Sequence, residues 1–214
     1  MFALVESGNI TQMPNGNKGI TLNGNQYPAS IYTLWTEAER NAIGIYTVEI
    51  DDTNKKDEAW YINTNQTYTF SGGKVKATYG TATAKKIADT LWTEKDKTDG
   101  LIPEGKDVGD VATRGLTYLK KQMIDNQCAG ILASSDWMVV RATETGGTMD
   151  RGWKTGRASV RTKCNSMQTQ IDNASDVDAL AALFTYTEQE DGSVTRPLGE
   201  FPVKAYHGIS SNRR

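Results

Sequence analysis

The chain has 214 residues, room for one large or two small domains. Its formal net charge of −2 supplies no field of one sign that would point to nucleic acid or an anionic membrane surface. The apolar fraction is a modest 37 %, and no apolar run approaches the roughly 18 residues that a membrane-spanning helix needs.

The opening Met1-Phe2-Ala3-Leu4-Val5-Glu6 is too short, and wrongly flanked, to read as a signal peptide. It alternates loosely towards Ile10, with a turn signal at Gly8-Asn9. Asn23-Gly24 between Ile20-Thr21-Leu22 and Asn25-Gln26-Tyr27 predicts a hairpin with a type I′ turn. Thr36 and Glu39 form a capping box that starts a short helix ending near Ile43, with Gly44 just beyond it. Ile45 to Ile50 alternates as a strand. Ala59 to Ile62 and Thr67 to Phe70 are two more, and Ser71-Gly72-Gly73-Lys74 turns into a return strand ending at Tyr79. Thr81 to Leu91 is Ala-rich and predicts a short helix. The charged run from Lys95, broken by Gly100, Pro103 and Gly105, reads as a linker.

The second half is helical. Asp107 to Ala133 predicts a long helix with Leu116, Leu119, Met123, Ile124, Cys128, Ile131 and Leu132 on drifting apolar stripes. A corner follows at Ser135-Asp136-Trp137. Here Asp136 (or Ser135) is expected to cap a helical turn, Trp137 and Val140 share a face, and Arg141 pairs with Glu144 at i,i+3. Asp150 caps a second long helix to about Asn173. Its residues Trp153, Arg157, Val160, Cys164, Met167 and Ile171 recur nearly as a heptad seam, so the two helices should pack antiparallel. Arg157 falls on that apolar seam, which calls for a buried ion pair or a stem laid along Trp153. Ser175 to Asp178 caps a third, short helix through Val177, Leu180, Leu183 and Phe184. Gln189 to Gly192 reads as a hairpin turn. Arg196 to Val203 should be extended because its two prolines forbid helix, and Tyr206 to Arg214 could not form a core of their own.

Taken together, these elements define an α+β chain. The expected organisation is a β-rich docking domain with a short helix over residues 1–94, a linker over 95–106, an antiparallel helical hairpin over 107–184 and an extended arm over 185–214.

The chemistry-bearing residues favour structure over catalysis. His207 is the sole histidine, so no histidine-based metal site or triad can be assembled. Cys128 and Cys164 lack a CxxC spacing and are expected as reduced thiols. N-x-S/T triplets at Asn9, Asn65 and Asn173 are expected by chance in an Asn- and Thr-rich chain. Ser134 and Ser135 have no base nearby, and Thr145-Gly146-Gly147-Thr148 lacks the surroundings of a phosphate loop. Arg141, Arg151, Lys154, Arg157, Arg161 and Lys163 make the corner locally basic. Without interleaved aromatics this reads as a solvated face balanced by Asp107, Asp110 and Asp125. The five tryptophans, Trp35, Trp60, Trp92, Trp137 and Trp153, read as packing anchors. A sugar-stacking platform in the β part is the alternative. A Trp137 buried in the hairpin would cost about 3–5 kcal/mol on truncation to Ala, whereas a cost below about 1 kcal/mol would place the ring against solvent or a partner.

Three stretches carry a family resemblance. ILASSDWMVVRATETG, RGWKTGRASVR and SDVDALAAL, within residues 115 to 184, resemble a module of phage tail-region proteins. Trp35-Thr36-Glu37-Ala38-Glu39 and Ile43-Gly44-Ile45-Tyr46 are similar to segments that precede this module in marine bacteriophages, and TRPLGEFPV looks like the family's C-terminal extension. One departure is Gly156, which stands where the family carries an aromatic beside Arg157, leaving a gap for a partner side chain. The resemblance implies a non-enzymatic structural component of a tailed-phage virion, made in the host cytoplasm. It would be a baseplate, tail-fibre or fibre-attachment protein, homo-oligomeric and bound to other tail or baseplate proteins. It implies no cofactor, metal, nucleic acid or membrane. An assembly chaperone absent from the finished particle is the second expectation, and a glycan-binding or glycan-hydrolysing tail protein the third.

Overall fold

The computed structural model describes residues 1–202, so Tyr206 and His207 lie outside the described residues. The fold is α+β, in two units, Met1–Ala84 and the residues from Lys85 onward. The division falls at Ala84, not at residue 94.

The first unit is built from hairpins. β1 (Phe2–Glu6) and β2 (Asn9–Gln12) join through Ser7 and Gly8, at φ 51° and 81°. β3 (Ile20–Leu22) and β4 (Asn25–Tyr27) join through Asn23 and Gly24, at φ 49° and 80°. Two consecutive positive φ angles are what a type I′ turn demands, and Asn-Gly supplies them at low steric cost. α1 (Ile31–Leu34) leads into α2 (Glu37–Ala42), where the Thr36 hydroxyl accepts from the Glu39 N–H and the Glu39 carboxylate accepts from the Thr36 N–H. β5 (Ile45–Asp51), β6 (Tyr61–Ile62), β7 (Thr67–Ser71), β8 (Lys74–Thr78) and β9 (Thr83–Ala84) follow.

Five of these strands form one sheet in the order β2-β1-β5-β8-β7, with β5 and β8 parallel and the other pairs antiparallel. Strand alternation sends Phe2, Leu4 and Ile45 to one face, where Ile20, Leu22, Ile31 and Tyr32 cover them. Ala3, Val48, Val75 and Ala77 go to the other face with Val5, Ile10, Tyr46 and Phe70. The edge strands β2 and β7 approach each other, so the sheet curls around this second core.

The helix expected over Thr81 to Leu91 is absent. Thr83–Ala84 pairs with β6, and Thr90–Leu91 forms β10, which pairs with β11 (Val111–Thr113). Ala-rich propensity loses here because the extended backbone has a task. The carbonyls of Lys86 and Ile87 accept from the N–H groups of Leu116 and Thr117, and Asp89 Oδ1 accepts from Gly115 at 2.7 Å. These are orphan donors at the start of α4 (Leu116–Ala133). A Cβ on Gly115 would lie 2.3 Å from the Ile87 carbonyl oxygen, so only glycine fits beneath this strap. The same pairing shortens the first long helix, which begins at Leu116 and not at Asp107, because β-branched Val111 and Thr113 sit in a strand. The expected linker holds α3 (Glu94–Thr98), started by a capping box of Thr93 and Asp96.

Beyond α4 come α5 (Asp136–Glu144), α6 (Arg151–Asp172) and α7 (Val177–Phe184). They are followed by the short hairpin β12 (Thr187–Glu188) and β13 (Val194–Thr195). Two rungs set α4 antiparallel to α6. Lys121 Nζ lies 2.7 Å from Asp172 Oδ2, and Asp125 Oδ1 accepts from Gln168 Nε2 and from the Cys164 thiol. Between them Ile124 and Cys128 meet the α6 seam, where Arg157, Val160, Cys164, Met167 and Ile171 are buried and Trp153 is half-buried. Leu119 points to solvent. Both cysteines are free, and burial, with Cys128 and Asp125 as neighbours, pushes the Cys164 thiol up to about 12.

The C-terminal stretch is not an extended arm through its described length. Pro197 and Leu198 turn the chain, closed by Gly199 N–H on the Arg196 carbonyl at 2.9 Å. Proline's fixed φ suits the second position of such a turn. The turn drives Leu198 into the helical core, where it is fully buried. Its N–H bonds the Leu183 carbonyl, and its own carbonyl accepts from Lys163 Nζ at 2.8 Å. Phe201 is buried too. Residues 196–201 therefore complete the core of their own unit. Leu198→Ala should lower unfolding free energy by about 2–5 kcal/mol in a urea titration of the purified chain. A loss below about 1 kcal/mol would return this stretch to the surface.

Candidate functional site

The corner between α4 and α6 is organised by one guanidinium. α4 passes into α5 with almost no break: Ser135 N–H bonds the Leu132 carbonyl at 3.0 Å, and Met138 N–H bonds the Ser135 carbonyl at 3.1 Å. Arg157 reaches this joint from α6. Its Nη1 donates to the Leu132 carbonyl at 2.7 Å and to Ser135 Oγ at 2.6 Å, and its Nη2 donates to Asp136 Oδ1 at 2.7 Å. Ser135 Oγ in turn donates to the Leu132 carbonyl at 3.0 Å. The Arg157 side chain is 7 % exposed and that of Asp136 59 %, so the pair is a buried cation held against a carboxylate at the rim. A planar fork with several fixed donors can serve three oxygens at once, which a lysine cannot.

This geometry corrects three expectations. Neither Asp136 nor Ser135 caps α5 with its side chain: Ser135 holds the N-cap position, and both oxygens are committed to Arg157. A charge-assisted bond to a guanidinium outcompetes a cap bond to a backbone amide. Arg141 and Glu144 form no ion pair among the described residues. An exposed i,i+3 pair gains only about 0.2–0.5 kcal/mol, and water competes for both ends. Trp137 is not in the hairpin interior, being 54 % exposed.

α5 buries none of its own residues. Trp137 and Val140, the latter 53 % exposed, give it an aromatic and aliphatic outer face, while Val139, 42 % exposed, lies on the side of the cleft towards α6. Two clefts flank it. One of about 400 Å³ runs past Trp137, Arg141, Asp150 and Trp153. The other, about 420 Å³, is walled by Val139, Ala142 and Met149 and by three cations, Lys154, Arg157 and Arg161, with no carboxylate in its lining. The acids expected to balance this basic face are engaged elsewhere. Asp107 bonds Lys97, Asp110 accepts from the Asp107 N–H, and Asp125 faces Gln168. The clustering of Lys154, Arg157 and Arg161 has a sequence signal, their i, i+3, i+7 spacing on one helical face. The roles of Leu132 and Leu198 have none, because one acts through a backbone carbonyl and the other sits in a turn-forming run.

The remaining candidates are structural. Ser135 is fully buried beneath Arg157 and is not presented as a nucleophile. Trp60 is 9 % exposed and Trp35 is half-buried, edge-on to Tyr27 at 5.8 Å, so the platform of a glycan-binding surface is missing at Trp60. Among the described residues no three His, Cys, Asp or Glu side chains are grouped to hold a metal ion. No described helix is long and apolar enough to cross a membrane. No family model, curated protein or solved structure matches the chain.

The site therefore consists of a rigid joint with an exposed apolar helix on its outside. In chemical unfolding, Trp137→Ala should change stability by less than about 1 kcal/mol, while Arg157→Ala should cost about 2–4 kcal/mol through its lost charged hydrogen bonds. Equal costs, or the reverse order, would contradict this division between surface and joint.

Proposed function

We propose that the chain is a structural assembly protein of a tailed-bacteriophage particle, at its baseplate, tail fibre or fibre attachment, and that it works through protein–protein contact without catalysis. The observation that carries the reading is the outer surface of α5. A large aromatic and an aliphatic side chain, Trp137 and Val140, are held in solvent on a helix whose direction is set by the buried Arg157 fork. Exposed aromatic anchors backed by a rigid frame are what a protein interface needs. This surface lies within the stretch whose sequence resembles the tail module. The β-rich unit serves as the dock, and the partners are neighbouring tail or baseplate subunits and further copies of this chain. The protein is made in the host cytoplasm and ends in the virion.

An assembly chaperone could use the same exposed surface, and particle composition separates the two. Quantitative mass spectrometry of purified particles should find this chain in fixed stoichiometry with the other tail proteins. Its absence from infectious particles would overturn the structural reading in favour of a transient helper.

A further inference from the structure

The cleft between α5 and α6 is positively charged and partly apolar, and the same unit carries a surface of complementary character. The β12–β13 hairpin is exposed along its whole length and bears Glu188, Glu190 and Asp191 around its tip, with Val194 59 % exposed beside them. Its turn is well formed: Gln189 N–H bonds the Ser193 carbonyl at 2.8 Å, and Asp191 Oδ1 accepts from the Ser193 N–H at 2.9 Å. An acidic knob with an aliphatic flank thus matches a basic cleft whose other wall is Val139, Ala142 and Met149.

The chain just beyond the hairpin lies on another face of α6 from the cleft: Glu200 and Pro202 line a groove with Thr155, Ser159 and Ser166, whereas Lys154, Arg157 and Arg161 wall the cleft. The base of the hairpin is tied by Arg196, whose guanidinium lies 5.0 Å from the Tyr186 ring centroid and 5.9 Å from that of Phe184. Phe184 in turn lies under Lys120 Nζ at 5.2 Å, near the start of α4. The chain's last twelve residues are unsuited as well: the segment 203–214 carries Lys204, Arg213 and Arg214 and no acid, the same sign as the cleft.

We propose that the cleft receives the acidic hairpin tip of a second copy of this chain, with Glu188, Glu190 and Asp191 meeting Lys154 and Arg161. Each copy then offers a knob at one place and a socket at another. Such a contact is heterologous, head to tail, and it closes into a ring or continues as a filament. The inference rests on the assembly reading and names the partner of its surface.

The test uses the full chain in sedimentation velocity across a concentration series. Two charge-reversed variants are compared with it, Lys154→Glu/Arg161→Glu in the socket and Glu188→Lys/Glu190→Lys in the knob. All four residues are exposed, and circular dichroism checks that both variants fold. The unmodified chain should self-associate, and each variant alone should associate roughly tenfold more weakly or worse. An equimolar mixture of the two should recover association, because the native acidic knob of one variant meets the native basic socket of the other, and the two reversed surfaces are again of opposite sign. If the socket variant does not fold, the knob variant alone decides, since its loss of association is still required. A monomer at every concentration, unchanged association of either folded variant, or a mixture of folded variants that stays monomeric would each overturn the proposal. A cleft meant for phosphate or nucleic acid would leave the knob variant associating like the unmodified chain. Absence of the protein from particles, with association intact, would overturn the virion assignment and leave this contact standing.

Discussion

The helical unit depends on where the Arg157 charge goes. A guanidinium taken out of water is costly unless its donors are met, and here they are met by three oxygens from Leu132, Ser135 and Asp136. Those oxygens come from the last turn of α4, the joint and the first turn of α5. One side chain of α6 therefore fixes the end of one helix and the direction of the next. Gly156 beside it is also buried and adds no side chain at the crossing. The result is an unusual division of labour. The ties to Arg157 fall on the N-terminal end of α5, and none of the residues of α5 is fully buried.

The far end of the helical pair is finished by residues distant in sequence. The strap at Lys86 to Asp89 meets the orphan donors at the start of α4, and Arg114 pairs with Asp89 at 2.6 Å on its outside. α7 and the turn at Pro197-Leu198 close the groove along α6. A two-helix hairpin has too little apolar contact to stand alone, and these additions supply the missing cover. The acidic hairpin between α7 and that turn is thereby held at its base and left exposed along its length, the counterpart to the outward surface of α5.

Features governed by local rules were legible in the sequence. Asn23-Gly24 announces its turn, Thr36 and Glu39 their capping box, and the spacing from Arg157 to Ile171 the buried seam of α6. What was not legible depends on partners far along the chain. The three acceptors of Arg157 lie more than twenty residues before it, so a buried ion pair could be expected without its partner being named. Asp136 has the residue type and position of a cap, and only the arrival of Arg157 diverts it. Val111 and Thr113 join a helical-looking run until their pairing with Thr90 and Leu91 claims them. Trp137 reads as a packing anchor whose burial or exposure the sequence leaves open, and the structure places its ring outside. Leu198, flanked by Pro197 and Gly199, carries every mark of a surface loop, yet that turn aims it inward.

The central claim is that the Arg157 fork, and not packing by its own side chains, holds α5 in place. Amide hydrogen exchange in the full chain tests this most directly, comparing the native protein with Arg157→Lys, which keeps the charge and loses the fork. The account predicts that amides in the C-terminal half of α5, from Val140 to Glu144, lose protection in the variant while those in the middle of α4 and α6 keep theirs. Unchanged protection across α5, or a uniform loss through α4, α5 and α6 together, would contradict it.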